Sequence, residues 1–428
     1  MNYIIRDVTV MTMNEENEII KNVDVMIENG TISRIGCGQA DYFDHIAIIE
    51  GNGKLLMPGL INGHSHIPMT LLRNYADDMD LQTWLFDRIF PAEGKMTAED
   101  VHWGTLVGIM EMLSTGTTCF ADMYDFMDVI AAAVESSGIR AQLTRGQICG
   151  EPGTDFSDNK AMRESVEFIK EWHGAAGGRI TAGMGPHAIY TCSPDYIEAI
   201  LLQAKKLGVP IHVHVDETKK EHEDCLRLYG KTPVRHLYDL GLFDQKTIAA
   251  HCVWITGDDM DLLKEKNVSI IHNPGSNLKL ASGIAPIPTA LAKGVNVCIG
   301  TDGAASNNNL NMWEEIYLTS IIHKGSSLDP LAINAFEALR MATVNGARAL
   351  GLSIIGSIKE GNRADLIMID MDKPHLKPLH NITSALAYSA QGSDVCMTMV
   401  DGRILYQDGE FKTIDKEKVF YYLDRFGK

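Results

Sequence analysis

Between residues 54 and 299, short apolar runs alternate with amphipathic helical stretches, and no other feature limits the fold as strongly. The eight runs span 54–61, 117–122, 140–144, 180–183, 210–215, 247–250, 268–271 and 295–299. Between them, 101–113 places Val101, Leu106, Ile109 and Leu113 at helical spacing, and 196–207 does the same with Ile197, Ile200, Leu201 and Ala204. A strand–helix unit repeated eight times predicts an α/β fold, a parallel (β/α)8 barrel of the TIM type. Such a barrel uses about 250 residues as one unit, so a chain of 428 has residues to spare at each end.

Both ends read as β-rich. Residues 23–28 alternate, Asn29-Gly30 marks a hairpin turn, and 31–35 continues as a strand. Residues 364–371 form a compact apolar strand, followed by a second hairpin signal, 397–400, Asp401-Gly402 and 403–406. Neither end has enough strands to stand alone. A small β-sandwich domain assembled from 1–57 and 357–428 is therefore expected beside a barrel over 58–356.

Charge narrows the function classes. With 38 Lys and Arg against 56 Asp and Glu, the net charge is −18. Phosphate backbones and anionic membranes call for the opposite sign, so neither is an expected partner. No run approaches the roughly 20 apolar residues of a bilayer span. The opening MNYIIRDVTV has no basic region followed by an apolar stretch, and the eight cysteines include no CxxC pair. A cytoplasmic protein with reduced thiols is expected; whether it forms a homo-oligomer is not legible in the sequence.

The residues that follow each strand carry the chemistry. The eight runs lead in turn to His64-Ser65-His66, Asp122, Thr144-Arg145-Gly146, Gly185-Pro186-His187, His214 with Asp216-Glu217, His251, His272-Asn273 and Thr301-Asp302-Gly303. In a parallel barrel these positions share one rim, the rim that bears active sites. His64 and His66 are two apart on an extended segment, so their rings point the same way. Such a pair suits a divalent ion, though an HxH pair is also common as a hydrogen-bonded surface pair. His212 and His214 share parity; His214 is the better ligand, and His212 reads as a core or supporting histidine. Asp302 suits a metal or a helix N-cap. Three imidazoles and a carboxylate make a mononuclear site that lowers the pKa of a bound water, with Glu217 beside it to move protons. No lysine stands at the end of strand four to bridge a second ion.

Taken together, Pro58-Gly59-Leu60-Ile61-Asn62-Gly63-His64-Ser65-His66, His214-Val215-Asp216-Glu217, His251-Cys252, His272-Asn273-Pro274 and Gly300-Thr301-Asp302-Gly303 resemble the amidohydrolase superfamily. Within it the chain is similar to the deaminases and chlorohydrolases of amino-heterocycles. A narrower likeness, to the 5′-methylthioadenosine/S-adenosylhomocysteine deaminases, rests on 68–73, Trp84-Leu85-Phe86, Glu93, Thr144-Arg145-Gly146, Gly185-Pro186-His187, 276–280 and 302–308.

The resemblance implies a metal-dependent hydrolase barrel that deaminates an adenine nucleoside: 5′-methylthioadenosine, S-adenosylhomocysteine, adenosine or 5′-deoxyadenosine. By likeness His64, His66, His214 and Asp302 would hold one divalent ion, zinc or a similar metal. Glu217 would protonate the purine nitrogen next to the reacting carbon, His251 would orient the attacking hydroxide, and Asp302 would pass a proton to the departing ammonia. Glu93 would accept from the ribose hydroxyls, His187 and Trp84 would contact base or sugar, and Arg145 would meet the amino-acid carboxylate of S-adenosylhomocysteine. Glu93 also reads as a solvated loop residue, Arg145 as a structural ion pair and Trp84 as packing.

Some relatives carry a second arginine after the strand-three loop. Here 147–156 has none, and the next is Arg163. A missing charged hydrogen bond costs about 1.5–3 kcal/mol, which favours uncharged 5′-substituents. The alternatives are deamination of guanine, an oxidised purine or a pterin, triazine hydrolysis, or a catalytically inactive barrel. Glu93 argues against a free base, which has no ribose diol, and the full set of polar rim residues argues against inactivity.

Overall fold

Gly59 divides the first long apolar run, which the sequence reads as one strand over 54–61. A Cβ at Gly59 would lie 2.1 Å from the Thr118 hydroxyl, so only glycine lets the chain pass there. Before it, β5 (Lys54–Pro58) belongs to a sheet of terminal strands; after it, Leu60–Ser65 enters the barrel. The computed structural model describes residues 2–38, 46–151 and 156–426.

The terminal sheet combines β1 (Tyr3–Met11), β2 (Ile19–Glu28), β3 (Thr31–Gly36), β4 (Ala47–Glu50) and β5 with strands from the far end of the chain. The barrel follows as β6 (Leu60–Ser65), β7 (Thr117–Tyr124), β8 (Arg140–Gln147), β9 (Ile180–Pro186), β10 (Ile211–Val215), β11 (Thr247–His251), β12 (Ser269–His272) and β13 (Asn296–Ile299). The last strands, β14 (Leu366–Asp370), β15 (Val395–Val400), β16 (Arg403–Gln407) and β17 (Glu410–Phe411), return to the terminal sheet. Its path runs β17-β16-β15-β14-β5-β1-β2-β3, with β4 beside β1.

Strand parity gives that sheet two jobs. Leu56, Leu366 and Met368 face a core shared with Val25 and Ile27, so its two halves close on each other as a sandwich does. Their neighbours Leu55, Met57, Ile367 and Ile369 face the barrel. The turns Asn29-Gly30 and Asp401-Gly402 both have positive φ throughout, as a tight hairpin requires. They abut: a Cβ on Gly402 would come 2.6 Å from the Gly30 Cα. Between the units, buried Arg140 donates to both oxygens of Asp365 at 2.7 and 3.0 Å.

The eight barrel strands pair in sequence order, all parallel. The ring closes through groups beside β6 and β13. The Asp302 amide donates to the His64 carbonyl at 2.9 Å, and Asn62 exchanges bonds with Thr301 through its amide nitrogen (2.7 Å) and oxygen (3.0 Å). Glycine permits this approach, because a Cβ on Gly300 would stand 2.8 Å from the His64 nitrogen. The helix Ala98–Ser114 starts from a Thr97/Asp100 capping box and buries Val101, Leu106, Ile109 and Leu113. The helix Pro194–Leu207 starts at Ser193 with proline in its first turn and stops at left-handed Gly208. No helix among the described residues is long and apolar enough to cross a membrane.

Candidate active site

Three histidines present the same edge to one point. The Nδ1 atom of His64 bonds to Nε2 of His212 at 2.8 Å, that of His66 to the Met123 carbonyl, and that of His214 to the His187 carbonyl at 2.8 Å. A neutral imidazole has one N–H, and a carbonyl only accepts. With Nδ1 donating, the Nε2 atoms of His66 and His214 face each other as lone pairs, 3.3 Å apart. Asp302 Oδ1 lies 3.3 Å from His64 Nε2 and 3.2 Å from His66 Nε2. Four electron-pair donors so placed repel one another unless a cation sits among them. Three nitrogens and an oxygen are a donor set for zinc and its first-row neighbours, so these residues fit a divalent ion.

In the metal-free chain a proton on His66 takes the place of that cation. Burial holds His64 down to about 4. Burial also lowers His66, but the hydrogen bond and charge of Asp302 outweigh it and push the ring up to about 9. Burial raises Asp302, yet the two histidines hold it well below the usual carboxylate range. Its Oδ2 accepts from the hydroxyls of Ser276 (2.6 Å) and Ser306 (2.9 Å), which fixes Oδ1 toward the centre.

Glu217 and His251 stand beside this cluster. Burial raises the Glu217 carboxyl above its ordinary value. Its oxygens lie 3.4 Å from the Ser282 hydroxyl and 3.7 Å from His251 Nε2. The Glu221 carboxylate accepts from the amides of Asp216 (3.1 Å) and Glu217 (2.8 Å), pinning the loop that carries Glu217. His251 and Cys252 both have positive φ, an uncommon turn for residues with a Cβ, which swings the ring inward. Its Nδ1 donates to Asn277 Oδ1 at 2.8 Å, so Nε2 points at the site as an acceptor. Buried Glu315, on the helix Met312–Ser327, braces the loops after β12 and β13. It accepts from the Gly275 amide (3.0 Å) and from Asn307 Nδ2 (2.7 Å), which also reaches the Thr301 carbonyl.

A cavity opens above. Its floor is His66, His214, Glu217, His251 and Asp302; Met69, Leu85, Phe90 and Met96 are among its apolar walls. Trp84 and Glu93 reach it from a π-helical turn, Thr83–Ile89, and the short helix Phe90–Glu93 that follows. Trp84 Nε1 and Glu93 Oε1 are both buried with no hydrogen-bond partner among the described residues. His187 lines the cavity, held by Thr191 at 3.0 Å, and burial lowers its ring to about 3.

The structure thus brings nine of the ten sequence-predicted residues together, His64 lying beneath the floor. Arg145 is the exception. It stands behind the wall, bonded to Asp125 and Glu164, because those two carboxylates already claim its guanidinium. His212 supports His64, as its parity suggested. Asp122, read as a rim residue, lies deeper, accepting from the Ser65 hydroxyl and the Ile67 amide. β7 runs on to Tyr124, so Tyr124 and Asp125 reach the cavity instead. The sequence reading assigned no role to these two, to Ser276, Ser306 and Asn277, or to Glu221 and Glu315. A polar residue directly after a strand end was the available signal for several of them. Of the loop 147–156 singled out in the sequence, 152–155 lie outside the described residues.

Comparison with known proteins gives a consistent picture. Residues 55–405 match the sequence profile of the Amidohydrolase family. The chain is 49% identical over 429 residues to a 5-methylthioadenosine/S-adenosylhomocysteine deaminase of Thermoanaerobacter pseudethanolicus, covering 100% of this chain and 99% of that one. It is 48% identical over 421 residues to a deaminase of the same name from Desulforamulus reducens, covering 98% and 96%. Among solved structures it is similar to an adenosine deaminase from Xanthomonas campestris with bound zinc. There the TM-score is 0.93 at 35% identity, over 99% of this chain and 97% of the other. An atrazine chlorohydrolase from Arthrobacter aurescens complexed with zinc shares the fold, with a TM-score of 0.91 at 24% identity over 99% of both chains.

Proposed function

The chain belongs to the amidohydrolase family, and from that premise we propose that it is an enzyme that hydrolytically deaminates an adenine nucleoside to the inosine analogue and ammonia. 5′-Methylthioadenosine, S-adenosylhomocysteine, adenosine and 5′-deoxyadenosine are the substrates in view. One observation carries the reading. Four metal-type donors converge under a cavity whose wall holds a buried carboxylate oxygen, Oε1 of Glu93, that has no hydrogen-bond partner among the described residues.

His64, His66, His214 and Asp302 would hold one divalent ion, which we take to be zinc as in the adenosine deaminase relative. When bound, such an ion is a Lewis acid that lowers the pKa of a water toward neutrality. The chain's own groups do the rest. Attack on the carbon bearing the amine places electrons on the adjacent ring nitrogen, which needs a proton; Glu217 supplies it and is reprotonated by the hydroxyl hydrogen that the attacking water leaves on that carbon. The burial that raises Glu217 suits a carboxyl that must carry a proton near neutral pH. His251, its Nδ1 committed to Asn277, offers Nε2 to orient the attacking water. Asp302 Oδ1 accepts the water's proton and returns it to the leaving amine, while Oδ2 stays with the two serines. Glu93 accepts from the vicinal hydroxyls, and Trp84 Nε1 and the neutral His187 ring contact sugar or base.

An ammonia-release screen over these nucleosides and the free bases adenine and guanine, with metal analysis of the same sample, tests the reading. Turnover of nucleosides by protein holding about one divalent ion per chain is expected. Preference for a free base, or full activity after exhaustive chelation, would overturn it.

A further inference from the structure

Among the residues lining the cavity, Asp125, Phe126 and Ile148 are exposed, and with Gly146 between them they mark a mouth of it. If the base meets the floor and the ribose meets Glu93, the 5′-substituent leaves the sugar toward this end. Phe126 and Ile148 are 41% and 46% exposed, offering apolar surface at the mouth. Among the described residues, one nearly buried guanidinium and two carboxylates form an ion-pair cluster there. Asp125 Oδ1 takes Nε of Arg145 at 3.1 Å and Nη2 at 2.9 Å; Glu164 Oε2 takes Nη2 at 2.9 Å. The Phe126 amide also donates to Asp125 Oδ1, at 2.8 Å, holding that carboxylate in place. Lys160 reaches Glu164 at 3.5 Å, but it is 79% exposed and its charge is largely screened.

An arginine grips a carboxylate through two parallel N–H groups. Here one two-point edge belongs to Asp125, and Glu164 engages the nitrogen shared with the other edge. A third carboxylate finds no two-point grip without evicting one of them, and it meets Asp125, a like charge, on the way in. An ammonium or a neutral thioether meets neither obstacle. Specificity is a difference of affinities, and a fixed charge of the same sign is one means of rejecting a competitor.

We propose that Asp125 and Glu164, by occupying Arg145, select nucleosides whose 5′-substituent is neutral or cationic over those ending in a carboxylate. The proposal rests on the nucleoside-deaminase reading above. S-Adenosylhomocysteine, with both charges on one carbon, falls between the classes.

The test uses three 5′-thioether adenosines, ending in methyl, aminoethyl and carboxymethyl groups, on the metal-loaded wild type and on Glu164→Gln, Asp125→Asn and Arg145→Met. In the wild type, kcat/KM for the carboxylate substrate is expected to be roughly tenfold below the methyl one. Glu164→Gln, which leaves the cavity wall intact, raises the carboxylate substrate alone by about threefold or more, through KM, and added salt shrinks the gain. Arg145→Met leaves the wild-type ranking in place. Equal use of the carboxylate substrate by wild type overturns the proposal. So does a ratio unmoved in both Glu164→Gln and Asp125→Asn. In those cases turnover of the methyl substrate leaves the reaction itself standing; absence of turnover on all three ends both.

Discussion

At the scale of single residues, the reaction centre depends on which atom of each side chain is free. Glu217 is outside the donor set, and among the described residues its oxygens have Ser282 and His251 as polar neighbours, at 3.4 and 3.7 Å. Glu217→Gln is therefore expected to retain the metal content of wild type while kcat falls about 10²–10⁴-fold, the worth of a positioned proton donor. Elemental analysis beside an ammonia assay checks it; turnover near wild type in metal-replete protein would remove Glu217 from the reaction. The participants of this kind were legible in the sequence because metal-binding and proton-moving side chains are few and fell at one strand end after another. Their supports were not. Ser276 and Asn277 are ordinary polar residues, and only the fold shows that one aims Asp302 and the other fixes the tautomer of His251.

At the scale of elements, apolar runs located seven of the eight barrel strands, β7 to β13, but not all of their ends. A strand's last residues turn polar at the rim while still paired to their neighbours. The sequence therefore stopped the second strand at Asp122, and β7 continues to Tyr124. Conversely, an unbroken apolar run hid the change of sheet at Gly59. The helix Met312–Ser327 contributes through Glu315, whose carboxyl burial pushes up to about 8 although two donors lower it. The folded chain thus keeps a proton that the unfolded chain gives up above about pH 4.3. Stability from this group is present below that value and declines as pH rises toward 8, by at most roughly 1.4 kcal/mol per unit. Chelator-treated protein, free of metal-linked titration, is expected to melt lower at pH 8 than at pH 5.5. Glu315→Gln should flatten that dependence; an unchanged slope in the variant would assign it to other groups.

At the scale of the molecule, the terminal sheet and the barrel are held by the apolar face of Leu55, Met57, Ile367 and Ile369 and by a buried ion pair. Arg140, from β8, is 4% exposed and Asp365, ahead of β14, is 1% exposed, and Asp365 also accepts from the Asp401 amide. Asp365→Ala leaves the buried guanidinium with the more distant Asp401, at 3.8 Å, as counter-charge, and a cost of about 3 kcal/mol is expected. Urea unfolding followed by fluorescence and by circular dichroism is expected to shift earlier with both probes. A loss under roughly 1 kcal/mol would mark the pair as no stronger than a surface contact. The sandwich-and-barrel plan was legible because neither β-rich end could be stable alone; the Arg140–Asp365 pair was not, since its partners are 225 residues apart. The bond from the Asp302 amide to the His64 carbonyl has a wider consequence. The reaction centre is the clasp of the ring: its acid arrives with the last stave and its first two imidazoles with the first. A chain that has built seven staves, or all eight without fastening them, owns no working catalyst, so the onset of ammonia release during refolding times the moment the circle shuts.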